Sequence, residues 1–194
     1  MDALGTLGSL FLRRERRNTT PQKTPLTEIV QDQKLNNDSP PEKIISWTLE
    51  RFANQKIVIS TSFGMEGCAL IDMYARAGAS LDVIYLDTMF FFPETYRLRD
   101  KLIQKYSTMN FINKGTMLTP EQQAEKYGDE LWKYNPTLCC KLRKVDPMVK
   151  AMEDVDVWIT GLRRSQSSTR ANLKAVDWDW QFQVLKISPL VNWE

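Results

Sequence analysis

The chain has 194 residues, of which 42% are hydrophobic, enough for one buried core and, by length, one domain. Its formal net charge is +2, which gives no overall field for nucleic acid or a membrane surface, so any basic site must be local. Histidine is absent, which excludes Ser-His-Asp and Cys-His catalysis, histidine zinc sites and imidazole proton transfer.

The opening stretch, MDALGTLGSLFLRRERRNTT, carries its arginines after a short apolar run, the reverse of a secretory signal. It reads as a solvated arm, with a transit-like leader as the alternative. One short helix is expected in PLTEIVQDQKL, so residues 1–40 form an arm and residues 41–194 the domain. SPPEKIISWTLERFAN predicts a packing helix with Ser39 as its N-cap and Ile44, Ile45, Leu49 and Phe52 on one face. KIVIS is a β-branched apolar run that predicts a buried parallel strand. The cycle then repeats: helix CALIDMYARAG stopped by Gly78, strand DVIYL, helix TYRLRDKLIQKY, strand NFIN. TPEQQAEKYGDELWKY opens with a capping box, Thr119 to Gln122. A cysteine-bearing helix, strand DVWIT and a polar loop follow. The alternation of Trp178, Trp180, Phe182 and Val184 predicts one half-buried strand. Strands alternating with helices imply an α/β fold, a doubly wound and mainly parallel sheet with helices on both faces, whose ligands sit beyond the carboxyl ends of the strands. No apolar run approaches the roughly 18 residues that span a bilayer.

The unusual chemistry follows predicted strands. STSFGMEG (residues 60–67) joins hydroxyl residues and glycines to a helix N terminus, where free amides attract an anion; the same residues also serve turn geometry alone. LDTMFFFPETY places Asp87 at a strand end, either as an acceptor for a ribose or amine or as a loop cap. GLRRSQSSTR gathers Arg163, Arg164, Arg170, Gln166 and four hydroxyls, a donor set suited to phosphate or sulfate oxygens; a solvated basic loop is the alternative. Cys139 and Cys140 are adjacent, which disfavours an unstrained disulfide between them, and a four-ligand metal site needs more than the three thiols present. Cys68 reads as a core thiol.

Together STSFGMEG, LDTMFFFPETY, CCKLRKVDPM and WITGLRRSQSSTR resemble the assimilatory adenylyl-sulfate and phosphoadenylyl-sulfate reductases of the PP-loop group, over about Pro41 to Trp193. The resemblance implies that adenosine phosphosulfate is held by Ser60, Ser62, Phe63, Gly64 and Gly67 in the PP-loop, by Leu86, Asp87 and Thr88 along the nucleoside, and by Gly161, Arg163, Arg164 and Arg170. One departure stands out: the family usually has glycine where this chain has Met89, so a loop that needs positive φ there carries strain.

In the cluster-bearing branch, the resemblance implies, adjacent cysteines are two of four ligands of a 4Fe-4S cluster, here Cys139 and Cys140. Lys144 is then an electrostatic support between cluster and sulfate. The other ligands and the nucleophilic cysteine lie in a C-terminal tail beyond SPLVNWE. The expected chain is thus C-terminally shortened and inactive by itself. The implied activity is thioredoxin-dependent, or glutaredoxin-dependent, reduction of adenylyl sulfate, or of its 3′-phosphorylated form, to sulfite in the cytoplasm. A tail thiolate attacks sulfur, AMP leaves, and a second thiol releases sulfite from the S-sulfonate. No nucleic acid or membrane partner is expected, and a homo-oligomer is left open. The competing readings are an ATP-cleaving PP-loop transferase, which would need an aspartate that SFGMEG lacks, and a nucleotide-binding fragment without catalysis.

Overall fold

The computed structural model describes residue 35 and residues 38–194; the arm and most of the short helix expected before residue 36 lie outside the described residues. The first described helix is α1 (Pro41–Arg51), followed by β1 (Ile57–Thr61), α2 (Met65–Arg76), β2 (Asp82–Tyr85), α3 (Pro93–Lys105) and β3 (Asn110–Asn113). Next come α4 (Pro120–Tyr127) and the short helices α5 (Leu131–Tyr134) and α6 (Pro136–Cys140). A π-helical segment (Lys141–Val145) leads into α7 (Asp146–Ala151). β4 (Val157–Ile159), two 3₁₀ turns (Arg164–Gln166 and Ser168–Arg170), β5 (Val176–Asp179) and β6 (Val184–Ile187) complete the domain.

The six strands run in the order β3-β2-β1-β4-β6-β5. All neighbours are parallel except β5, which pairs antiparallel with β6 at the edge. Alternation decides the two faces. Ile57, Ile59, Val83, Tyr85, Val157 and Ile159 point into a core shared with α1, α2 and α3 through Ile44, Ile71 and Leu102. Val58 and Ile84 point the other way, against Ala151, Met152 and Val155. Both faces are covered, which is why the strands read as unbroken apolar runs rather than alternating ones. The chain builds outward from β1 through β2 to β3, then returns to lay β4 on the opposite side of β1. The loops after β1 and β4 therefore diverge at a topological switch point, the place in an open sheet where a crevice forms.

Two expectations need correction, and two segments are more broken than a single helix. Ser39 is not the cap of α1: Pro40 holds that position and no side chain caps the helix, because the two prolines already fix the entering backbone. The stretch from Trp178 to Val184 is not one strand but a hairpin. The Asp179 carboxylate accepts the amides of Gln181 and Phe182, and Gln183 turns the chain at φ 57°, so the apolar alternation runs through a turn. The long segment after Thr119 keeps its capping box but breaks at Gly128, φ 85°. The cysteine helix does not continue evenly either, since the π segment inserts a wider turn directly after Cys140. Gly78, by contrast, stops α2 as expected, with φ 79°. Among the described residues no helix is long and apolar enough to cross a membrane.

Candidate anion site at the switch point

The serine–glycine loop is built by β1 running straight into α2. Ser60 is still in the strand and accepts a hydrogen bond from the Trp158 indole at 2.8 Å, which ties β1 to β4. Phe63 turns the chain at φ 64°. Its ring is buried against Tyr85 at 5.1 Å and its amide donates to Thr61 Oγ1 at 2.8 Å. Phe63 is thus an anchor of the loop rather than a surface group. Ser62 and Gly64 are exposed, and Gly64 is the N-cap of α2. Gly67 has no room for a side chain, since an added Cβ would lie 2.2 Å from Thr61 Oγ1. The first turn of α2 therefore sits hard against the strand that precedes it, with its amides directed out of the sheet's carboxyl end.

The loop after β2 is organised by Asp87. Its Oδ1 accepts from the Met89 amide at 2.8 Å and from the Tyr96 hydroxyl at 2.8 Å, and its Oδ2 lies 3.9 Å from Arg99. The carboxylate caps its own loop; burial first, then Asp87, raises the Tyr96 pKa. Thr88 is buried, and Leu86 is half-buried at the strand end. Met89 stands at φ 60°, so the residue that departs from the family pattern does occupy the left-handed region. That conformation costs a non-glycine residue roughly 1–2 kcal/mol, while glycine loses about 0.5–1 kcal/mol more chain entropy on folding. Met89→Gly is therefore expected to raise the unfolding free energy by about 0.5 kcal/mol on balance, and urea unfolding would detect it as a higher midpoint at unchanged slope.

The arginine loop follows β4 and lies on the same rim as the serine–glycine loop. Gly161 makes the approach feasible: a Cβ there would stand 2.7 Å from Glu66 Cβ. Arg163 then closes the contact, with Nη2 2.8 Å and Nε 3.0 Å from Glu66 Oε1. The pair is sheltered, with side chains 18% and 22% exposed. The backbone amide of Glu66, then the Gln166 side chain and Arg163, hold the Glu66 carboxyl below the usual range. Arg163 Nη1 donates to Ser165 Oγ and to the Trp193 carbonyl, both at 3.2 Å. Arg164 is also engaged, its Nε on the Leu173 carbonyl at 2.9 Å and Nη1 on Asn192. Arg170 donates to Gln166 Oε1 and forms no ion pair among the described residues.

On the other side of the β2 loop stands the cysteine helix. Asn135 caps it by accepting the Leu138 amide. Cys139 is buried and Cys140 exposed. Three residues on, Arg143 is 1% exposed. Its Nε donates to Gln123 Oε1 at 2.7 Å and its Nη1 to the Thr88 carbonyl at 2.9 Å. The guanidinium lies 4.6 Å from the centre of the Phe90 ring, and Nη2 has no hydrogen-bond partner among the described residues. Burial pushes its pKa down, against the opposing pull of Cys139 and Glu121. Phe90, Gln123, Glu121 and Trp132 line an open concavity of about 530 Å³ beside this contact. Lys144 is exposed and makes no hydrogen bond or ion pair among the described residues.

Residues 56–194 match the model of the phosphoadenosine phosphosulfate reductase domain. The chain belongs to the phosphoadenosine phosphosulfate reductase domain family. It is 41% identical over 150 residues to an adenosine 5′-phosphosulfate reductase of Bacillus cytotoxicus, a match that covers 77% of this chain and 64% of the relative. The corresponding protein of Geobacillus sp. is 39% identical over 150 residues, covering 77% and 63%. The chain thus spans slightly less than two thirds of the length of these curated relatives. Among solved structures, a phosphoadenylyl-sulfate reductase from Candida auris in a phosphate complex superposes with a TM-score of 0.69 at 30% identity, covering 81% of this chain and 75% of that one. The α/β architecture read from the strand pattern is that of this reductase.

Within this reductase domain the structure gathers Gly64, Gly67, Gly161 and Arg163 at one junction around Glu66, with Ser62 exposed in the loop before it. Asp87 and Thr88 belong to the adjacent loop, which Arg143 ties to the cysteine helix. Four residues that position these loops went unremarked in the sequence. Glu66 and Arg143 act through partners 97 and 55 residues away, Gly115 presses on Asp87 of the preceding loop, and Tyr96 holds Asp87 nine residues back. The cluster implied for Cys139 and Cys140 needs four thiolates. Among the described residues no three His, Cys, Asp or Glu side chains gather around a common point. These residues alone do not complete a cluster.

Proposed function

We propose that residues 41–194 form the nucleotide-binding unit of a reductase of adenylyl sulfate, with the 3′-phosphorylated substrate as the variant. The observation that carries this reading is the 2.8 Å contact between Arg163 and Glu66, which places the arginine loop over the first turn of α2. A phosphosulfate lying there would meet helix amides on one side and the guanidinium and hydroxyls of Arg170, Ser167 and Thr169 on the other. Such donors act strongly because they are fixed before the ligand arrives. In this reading Ser60, Ser62, Phe63, Gly64 and Gly67 shape the phosphate cradle, Leu86, Asp87 and Thr88 border the nucleoside, and Gly161, Arg163, Arg164 and Arg170 hold or frame the sulfate end. Lys144 adds positive charge on the cysteine side.

Reduction of sulfate-level sulfur to sulfite takes two electrons, and the family resemblance supplies them from thiols, so the partner in this reading is a thioredoxin or glutaredoxin, in the cytoplasm where thiols stay reduced. Cys139 and Cys140 are two ligands of the family's 4Fe-4S cluster in this proposal, the other two coming from outside the described residues. The experiment is calorimetry on the 194-residue chain with adenylyl sulfate, its 3′-phosphorylated form, AMP and ATP, each at two salt concentrations. Adenylyl sulfate is expected to bind more tightly than AMP and to weaken as salt rises. Tighter binding of ATP, with release of pyrophosphate, would replace the reductase with the PP-loop transferase.

A further inference from the structure

The three arginines of the loop are not equivalent. Arg163 has its charge met by Glu66, and Arg164 is bound to the Leu173 carbonyl and Asn192 with Asp38 at 4.0 Å. Only Arg170 among them faces no carboxylate within ion-pair distance among the described residues. What holds Arg170 is Gln166, whose side-chain amide is itself fixed at both ends. Its Nε2 donates to Glu66 Oε1 at 3.0 Å and to the Gly161 carbonyl at 3.4 Å. Its Oε1 accepts from the Arg163 amide at 3.2 Å and from Arg170 Nη1. An acceptor at Glu66 and two donors at the other end allow one orientation of the amide and forbid the flipped one.

We propose that Glu66 and Gln166 are positioning residues forming a relay, Glu66 to Gln166 to Arg170, that aims the one uncompensated guanidinium of the loop at the anionic ligand. The proposal rests on the anion site described above and reassigns Gln166 within it: the amide is not a ligand donor but the group that orders Arg170. The physical gain is pre-organisation. A neutral acceptor holds the guanidinium without neutralising it, whereas a carboxylate in the same place would cancel the charge the ligand needs. Glu66 in turn spends its own charge on Arg163, which becomes the strut that fixes the loop to α2.

The test has a ligand-free arm and a ligand arm, both on the 194-residue chain. In the first, the arginine Nε–H resonances are followed by NMR. Gln166→Leu is expected to release Arg170, seen as faster side-chain motion, while Arg163 keeps its ordered signal on Glu66. In the second, adenylyl sulfate is titrated into Arg170→Ala, Gln166→Leu and the double variant. Arg170→Ala is expected to weaken binding about tenfold and Gln166→Leu about fourfold, with no further loss when Gln166→Leu is added to Arg170→Ala. The exchange Glu66→Gln with Gln166→Glu, which restores a donor facing an acceptor, is expected to recover Arg170 order but not affinity, because a carboxylate now neutralises the guanidinium. An unchanged Arg170 signal in Gln166→Leu, or equal losses in both backgrounds, overturns the relay. If Gln166→Leu fails to fold, Gln166→Asn, whose amide is one methylene too short to bridge Glu66 and Arg170, decides by the same signal. If the unaltered chain binds no adenylyl sulfate while Arg170 still responds to Gln166→Leu, the ligand reading of the site fails and the contact is a structural brace alone.

Discussion

Arg143→Ala is expected to lower the free energy of unfolding by about 2–4 kcal/mol, seen in urea as a lower midpoint. The side chain is among the largest fully buried ones in the domain, so truncation leaves a cavity under Phe90. It also strands two buried acceptors, Gln123 Oε1 and the Thr88 carbonyl, which now receive the guanidinium. Both losses act together, one from the cavity and one from the buried acceptors left without a donor. Opposing them is the recovered cost of burying a cation that has no counter-ion among the described residues, and this keeps the net effect below that of a broken buried ion pair. Lysine is not expected to rescue. One ammonium cannot give the two in-plane donors that Gln123 and Thr88 take while stacking on Phe90. Because Arg143 joins the cysteine helix to the β2 loop, the loss should also loosen that loop: hydrogen exchange over residues 86–92 should rise in both Arg143→Ala and Arg143→Lys. Unchanged exchange there would mean that the loop holds itself through Asp87.

How far the sequence could be read depended on the distance over which each residue acts. Strands β1, β2 and β4 were legible because burial on both faces leaves short, unbroken apolar runs rich in β-branched residues. The capping box at Thr119 and the stop at Gly78 are local chemistry and survive in the fold. Met89 was legible only through the family resemblance, which sets glycine at that position, and it does stand in the left-handed region. The β5–β6 hairpin was not, because aromatic residues continue their alternation through the turn; the signal that could have revealed it was Asp179 two and three residues before Gln181 and Phe182. The site itself was legible as a set of loops but not as a set of contacts. Arg163 reads as a donor awaiting a ligand until Glu66, 97 residues away, is found on it, and nothing in GLRRSQSSTR announces that Arg170 alone of the three meets no carboxylate among the described residues. Sequence proximity finds donors; only the switch point between β1 and β4 decides which of them are spent on structure.

Gly115→Ala is expected to cost about 2–3 kcal/mol, although glycine-to-alanine changes on exposed loops commonly cost little. A Cβ at this position would stand 2.3 Å from the Asp87 carbonyl and 2.7 Å from the Asp87 amide, with Asn113 Oδ1 at 3.0 Å. Two of the three are backbone atoms, which cannot rotate aside as a side chain can. The β2 loop must therefore move as a unit, and it is not free to do so. The Asn113 side chain accepts the amides of both Asp87 and Gly115, Tyr96 holds the Asp87 carboxylate, and Arg143 holds Thr88 from below. The strain has to be absorbed by breaking one of these. Gly64→Ala supplies the comparison: its Cβ would meet nothing closer than 3.9 Å, and its φ of −72° suits alanine, so it should change stability by less than about 0.5 kcal/mol. Measured side by side in urea, the two substitutions separate close packing between loops from the general cost of losing a glycine. If Gly115→Ala proves as mild as Gly64→Ala, the loop after β3 does not press on the loop after β2, and Asp87 owes its position to Tyr96 and its own turn alone.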